Sequence, residues 1–331
     1  MPSREGAGVS ATTASATASI LRASDRDDLR SICGDRASFD APLAPFTSWK
    51  IGGPADALLV VENDDELAAI MRLCLRRKLP WFALGSGSNL LVGDGGMRGL
   101  VLRLAGAFAE IDVVVQGEEV FVRAGASADM ALMTAKAASL GAVGIGSLAG
   151  IPGRVGGSLR MNAGTDREIG EFVRDVWVQS PSKPEPHAVS VQYYYRHTTL
   201  ARDAIVSRVT LAFPRGDVKS VRDEMQDRLK RRKATQPIAL PNAGSCFRNP
   251  DGDKAARLIE AAGAKGWREG GAEVSPLHAN FINNVGGATA RDVAALLARV
   301  RRVVFERFGV ELQLEVHLVG VFTAEVEEKA S

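Results

Sequence analysis

Ser245 lies in Pro241-Asn242-Ala243-Gly244-Ser245-Cys246-Phe247-Arg248-Asn249-Pro250, a hydroxyl beside a glycine and between turn-forming residues. A hydroxyl so placed can deliver a proton if a neighbour lowers the cost of its transient alkoxide, or it can cap a turn. No G-x-S-x-G elbow surrounds it, which argues against a hydrolase nucleophile. Glu315 lies in Leu312-Gln313-Leu314-Glu315-Val316-His317-Leu318. Strand alternation there puts Gln313, Glu315 and His317 on one face, either solvated or turned to a ligand. Tyr193-Tyr194-Tyr195-Arg196-His197 gathers three phenol rings and a guanidinium ahead of an apolar run. By residue type alone it is an aromatic-rich edge with an exposed arginine. His278 reads as a structural histidine, because none of the four histidines has metal-ligand spacing to another.

Three glycine-rich segments carry a different chemistry. They are Ile51-Gly52-Gly53-Pro54-Ala55, then Gly85-Ser86-Gly87-Ser88-Asn89-Leu90, then Gly150-Ile151-Pro152-Gly153-Arg154-Val155-Gly156-Gly157, which continues to Asn162-Ala163-Gly164. Successive backbone N–H groups in such loops form concavities that suit a pyrophosphate, and the interleaved Ser and Asn add donors. Taken singly, each is a tight turn; three in one domain favour a bound dinucleotide. The usual schemes do not apply. Gly85-x-Gly87 meets Leu90 where a dinucleotide fingerprint needs Gly or Ala, and Gly144-x-Gly146-x-x-Ala149 follows a helix and loop instead of a strand. There is no P-loop.

The elements that must position these residues are mixed. A charged helix is expected over Asp25–Ile32 and a buried strand over Ala57–Val61. A helix capped by Asp64 or Asp65 should run to Leu79, and Trp81–Leu84 should be a strand. Ile111–Val115 and Val120–Val122 form a hairpin, and Asp129–Leu140 a helix closed by Gly141. Residues 141–164 read as a long apolar loop, which a compact domain tolerates when the loop wraps a ligand. Ile205–Phe213 is a strand, and Pro214-Arg215-Gly216 the expected domain boundary. Helices follow over Asp217–Lys233, Lys254–Ala262 and Ala288–Phe308, with a closing strand over Leu312–Val319. The expected organisation is a disordered tail over 1–24, one domain over 25–215, a second over 216–322 and a tail over 323–331.

Composition narrows the class. Of 331 residues, 46% are hydrophobic and 24% charged, as in a soluble globular protein long enough for two or three domains. With 41 basic and 39 acidic side chains there is no electrostatic case for nucleic acid. Three scattered cysteines, Cys33, Cys74 and Cys246, suggest neither a disulfide framework nor a zinc site, which suits a reducing cytoplasm. No apolar run approaches a membrane span. The small-residue stretch Ser10–Ser19 lacks the apolar region of a secretory signal.

Together these motifs resemble the UDP-N-acetylenolpyruvoylglucosamine reductase family. Thr47–Ala55 is similar to its opening flavin motif, Leu84–Leu91 to its Gly-Ser-Gly-Ser-Asn-Leu-Leu loop, and Leu148–Gly164 to its Leu-Ala-Gly-Ile-Pro-Gly to Met-Asn-Ala-Gly stretch. Ala243–Pro250 and Gly271–Asn283 resemble its substrate-domain signatures. The match runs in order from about residue 28 to 322. The resemblance implies an α+β fold: an FAD-binding domain of the vanillyl-alcohol-oxidase-like (PCMH-type) flavoproteins in two subdomains, plus a smaller α+β substrate-binding domain. The short connection from Arg196 to Ser245 resembles the compact type, without an extra substrate-capping loop.

It further implies NADPH-dependent, FAD-mediated reduction of UDP-N-acetylglucosamine enolpyruvate to UDP-N-acetylmuramate in peptidoglycan precursor synthesis. The partners are then these small molecules, with neither nucleic acid nor membrane, and a monomer is expected. Carried over by residue, Ser245 is the proton donor, with Glu315 and Arg196 as the other catalytic groups. Tyr195, Lys233, Arg248 and Asn249 fall on the substrate side, and the three glycine segments on the flavin. No histidine lies within Gly85–Leu91 or Gly141–Gly164, so the FAD should be non-covalent. The chain departs from the family at Arg154, where a small Thr or Ser is usual, at Gly146-Ser147, and at Thr198-Thr199. A long cation at 154 can reach the pyrophosphate or fold outward. Cys246 is expected to pack.

Overall fold

The computed structural model describes residues 19–322. The expected tails over 1–18 and 323–331 lie outside the described residues. Residues 19–24, counted with the first tail, are instead part of the fold. Leu21 is buried, and the Ile20 N–H donates to Asp56 Oδ2 at 3.2 Å.

The first unit runs α1 (Ala23–Cys33), β1 (Ala37–Pro42), β2 (Pro54–Val61), α2 (Asp64–Arg77), β3 (Trp81–Ala83), β4 (Leu90–Val92) and β5 (Met97–Leu104). Its sheet has the order β1-β2-β5-β3, antiparallel at β1–β2 and parallel elsewhere. β2 is buried on both faces, as its unbroken apolar run requires. Against the sheet pack Leu29 of α1 and Leu67, Ile70 and Met71 of α2. The cap of α2 is Asn63, whose side chain accepts from the Glu66 N–H, so the expected Asp64 and Asp65 move into the first turn. There, with Glu66, they face the positive helix end, while Arg76 and Arg77 sit at the negative end.

The second unit runs β6 (Ile111–Gln116), β7 (Glu119–Gly125), α3 (Met130–Ala138), α4 (Val155–Arg160), β8 (Val173–Gln179), β9 (His187–Val189), β10 (Tyr193–Tyr194), β11 (His197–Thr198) and β12 (Ile205–Pro214). An antiparallel sheet orders β6-β7-β12-β8-β9. Residues 141–164 are not one long loop: a 3-10 turn at Ile145–Leu148 and α4 interrupt them. Both bury apolar side chains in the core under this sheet, which is why the stretch is so uncharged.

α5 (Val218–Thr235) lies past the expected boundary yet packs Val221 and Met225 into the second unit's core; the third unit holds α6 (Ala255–Ala261), β13 (Arg268–Glu269), β14 (Ala272–Val274), β15 (Ile282–Asn284), α7 (Ala290–Phe308) and β16 (His317–Val319). Its core includes Trp49, Ile51 and Leu91 from the first unit. Only His317–Val319 of the expected closing strand pairs as one, parallel to β4. Residues 312–316 instead lie along Phe247, through a single bridge from Leu314.

Candidate active site

The three glycine segments interlock. Ser48 N–H donates to the Gly87 carbonyl at 3.2 Å, which ties the turn before the first segment to the second. At Gly87 (φ 59°) a Cβ would lie 2.8 Å from the Thr47 Cα, so only glycine permits the approach. Ser88 Oγ donates to the Pro152 carbonyl at 3.0 Å, joining the second segment to the third. Both Ser86 Oγ and Ser88 Oγ face Gly153, within 3.5 Å of where its Cβ would be.

Several features suit this cradle to an anionic dinucleotide. Ser86 Oγ and Arg103 Nε are buried with no hydrogen-bond partner among the described residues. Space beside Gly157 is open. Arg103, stacked over Phe46 at 4.5 Å, is a cation that burial and then the charge of Arg154 disfavour. An anion between these two guanidiniums would relieve that repulsion. Arg154 itself turns to Asp129, with Nη1 3.3 Å from Oδ2, while its aliphatic stem lies against Gly85.

Of Asn162, Ala163 and Gly164, expected on the flavin, Gly164 also accepts from Arg196 through its carbonyl, and Asn162 donates to the nearby Tyr194 carbonyl. Arg196 sits in the two-residue turn between β10 and β11 at φ 55°, a left-handed conformation that costs a non-glycine residue roughly 1 kcal/mol. Its side chain compensates. Nε donates to Glu315 Oε1 at 2.9 Å, Nη2 to the Gly164 carbonyl at 2.9 Å, and Nη1 to Glu168 Oε1 at 3.4 Å. Tyr195 is half exposed, its ring 4.9 Å from the guanidinium carbon.

Glu315 reaches this cluster because its backbone N–H donates to the Cys246 carbonyl at 2.8 Å and its own carbonyl accepts from Asn89 Nδ2 at 3.0 Å. The first contact brings the 315 segment beside Ser245; the second ties it to the glycine cradle. Burial pushes the Glu315 carboxyl above its ordinary value, against the opposing charges of Arg196 and Arg248. Ser245, half-buried, follows Gly244 (φ 75°), whose N–H is taken by Asn242 Oδ1 at 3.0 Å. Buried Asn280 then pins the chain: its carbonyl accepts from Cys246 N–H, its Oδ1 accepts from Phe247 N–H, and its Nδ2 donates to the Phe247 carbonyl. Cys246 is fully packed, its thiol pushed up to about 12 by burial.

The substrate-side candidates divide. Arg248 stays with the cluster, its Nε buried and without a partner among the described residues. Asn249 turns its carboxamide oxygen to the Ala255 N–H at 3.1 Å and so holds the start of α6. Lys233 is exposed on the last turn of α5. His278 accepts the Asn280 N–H and packs on Phe281, and no group of three metal-binding side chains occurs among the described residues. Sequence reasoning missed Glu168, Arg103 and Asn280. Asn280 was signalled only by the polar pattern around His278, and Glu168 was hidden in the charged run Asp166-Arg167-Glu168.

Residues 55–179 match the family model described as FAD binding domain, so the chain is a flavoprotein whose cofactor unit faces a carboxylate–guanidinium cluster. Residues 236–319 match the C-terminal domain of UDP-N-acetylenolpyruvoylglucosamine reductase. The reductase of Anaeromyxobacter sp. is 45% identical over 86% of this chain and 89% of its own length. The second such reductase of Symbiobacterium thermophilum is 45% identical over 88% and 96%. The crystal structure of the reductase from Thermus caldophilus, 34% identical, superposes with a TM-score of 0.72 over 85% of this chain and 97% of that one. The chain belongs to the family of UDP-N-acetylenolpyruvoylglucosamine reductases, flavoenzymes that reduce UDP-N-acetylglucosamine enolpyruvate to UDP-N-acetylmuramate.

Proposed function

We propose that Arg196, Ser245 and Glu315 carry the reaction on the sugar nucleotide, with NADPH as the reductant, and that the three glycine segments with Arg103 hold the FAD. The observation that carries this reading is the Arg196–Glu315 contact, made between residues 119 apart and directly beside the Ser245 loop. When bound, the flavin takes a hydride equivalent from NADPH and gives it to carbon three of the enolpyruvyl group.

Everything else falls to the protein. Arg196 offers a permanent charge and a planar fork to the substrate carboxylate, which takes on the negative charge left at carbon two. Ser245 delivers the proton to carbon two. Glu315, held toward its neutral form by burial, then does not oppose an anion beside it. Arg248 and Tyr195 border this cluster, and Lys233 and Asn249 are the remaining substrate-side candidates.

The test separates the half-reactions by rapid mixing. NADPH oxidation should depend on the enolpyruvyl sugar nucleotide. Ser245→Ala should leave flavin reduction by NADPH intact and slow reoxidation by the sugar nucleotide ~10²- to 10³-fold. Equal loss in both steps would remove Ser245 from this role.

A further inference from the structure

Glu168 is a carboxylate that the chemistry above does not use. It follows Gly164 by one tight turn, and its side chain is buried almost as deeply as those of Arg196 and Glu315, 25% exposed against 17% for each. Two carboxylates therefore take opposite edges of one guanidinium: Glu315 on Nε, Glu168 on Nη1. Glu168 is itself braced. Asn162 Nδ2 donates to its other oxygen and to the Tyr194 carbonyl, and Asn162 Oδ1 accepts from the Gly170 N–H.

We propose that Glu168 is a positioning residue that anchors Arg196 from the side opposite Glu315, so that the guanidinium stays aimed while the substrate carboxylate displaces Glu315 from it. This role rests on the function given to Arg196 above. Without Glu168, only the Gly164 carbonyl on Nη2 would hold the guanidinium once the Glu315 contact is exchanged, and the left-handed backbone would then favour leaving. Glu168, fixed through Asn162, keeps one edge of the fork in place throughout.

A second effect is electrostatic. The charged groups facing this cluster are Arg196 from the β10–β11 turn, Glu171 from the turn that follows Glu168, and Glu315 and Arg248 from the third unit. One guanidinium cannot neutralise both Glu168 and Glu315. Both carboxyls are pushed up from their ordinary value, in each case by burial first. Removing the Glu168 charge leaves Arg196 wholly to Glu315 and so favours the ionised form of Glu315.

The experiment uses the FAD-loaded full chain with Glu168→Gln and Glu168→Asp, each half-reaction followed by flavin absorbance across pH. In the unmodified protein, failure of the enolpyruvyl sugar nucleotide to reoxidise the flavin would overturn the functional reading itself, whatever Glu168 does. With that step present, both variants should bind FAD and be reduced by NADPH at the unmodified rate, with reoxidation slowed roughly 10- to 100-fold. In E168Q the alkaline fall of reoxidation should move to lower pH; in E168D, which keeps the charge, it should stay. Reoxidation at the unmodified rate, an equal pH shift in both variants, or loss of FAD from both would overturn the proposal, the last by making Glu168 a brace for the 162–170 turn alone.

Discussion

Glu315 shows how far residue type alone can mislead. Alternation put it on a polar strand face, yet only residues 317–319 form a strand, and the carboxyl is turned into the cluster by pairing of its backbone with Cys246. Glu315→Gln keeps the size and still accepts from Arg196. It should retain FAD and flavin reduction while reoxidation falls ~10²- to 10³-fold. In the unmodified enzyme, reoxidation should decline as pH rises through the raised value of Glu315, because the working form carries the proton. The glutamine variant should lose that limb, which stopped-flow traces across pH would reveal. A colourless variant would show a structural role instead. Ser245, Arg196 and Glu315 were singled out through the family resemblance, because residue type alone read them as a turn hydroxyl, an exposed edge arginine and a polar strand face. Glu168 was not, because its partner Arg196 is 28 residues away and nothing in a charged run marks one member as buried.

At the scale of elements, the glycine cradle depends on backbones in contact. A Cβ at Gly53 would lie 2.1 Å from the Asp94 carbonyl. Asp94 also caps α7, its carboxylate accepting from the Ala290 and Arg291 N–H groups at 2.8 and 3.0 Å. Gly53→Ala should therefore cost ~1–3 kcal/mol by thermal unfolding of the FAD-free protein and weaken FAD binding as well. On the other side, α5 is tied to the turn after Gly164 by a bidentate pair, Arg228 with Asp166, at 2.6 and 2.8 Å. Hydrogen bonding from Arg228 holds the Asp166 carboxyl well below the usual carboxylate range. The stabilisation is thus fully present above the ordinary aspartate value of about 4 and is lost as pH falls below it. Because the pair is half exposed, Asp166→Asn should cost no more than ~0.5–1 kcal/mol at pH 7 and much less in strong acid, measured by denaturant titration at both. Most helices were legible from their periodicity and caps. The buried turn and helix within residues 141–164 were not, because four glycines and a proline between 150 and 157 mask a short helix whose stability comes from packing.

For the whole molecule, the three units share more than a boundary. Trp49, fully buried, donates from Nε1 to the Ile282 carbonyl at 2.7 Å, so a residue next to the first glycine segment is part of the third unit's core. No helix among the described residues is long and apolar enough to cross a membrane. Unfolding in denaturant should release the FAD into the filtrate of a size-cutoff membrane, since neither glycine loop offers a histidine for a covalent link; flavin retained with the polypeptide would contradict this. The parallel pairing of His317–Val319 with Leu90–Val92 has a consequence for biosynthesis. The strand leaving the Ser86–Asn89 loop finds its partner only once residues 317–319 have been translated, just after the Glu315 carbonyl that Asn89 holds from 226 residues away. A nascent chain that has not yet reached residue 319 thus lacks this pairing, and a finished nucleotide pocket must await it.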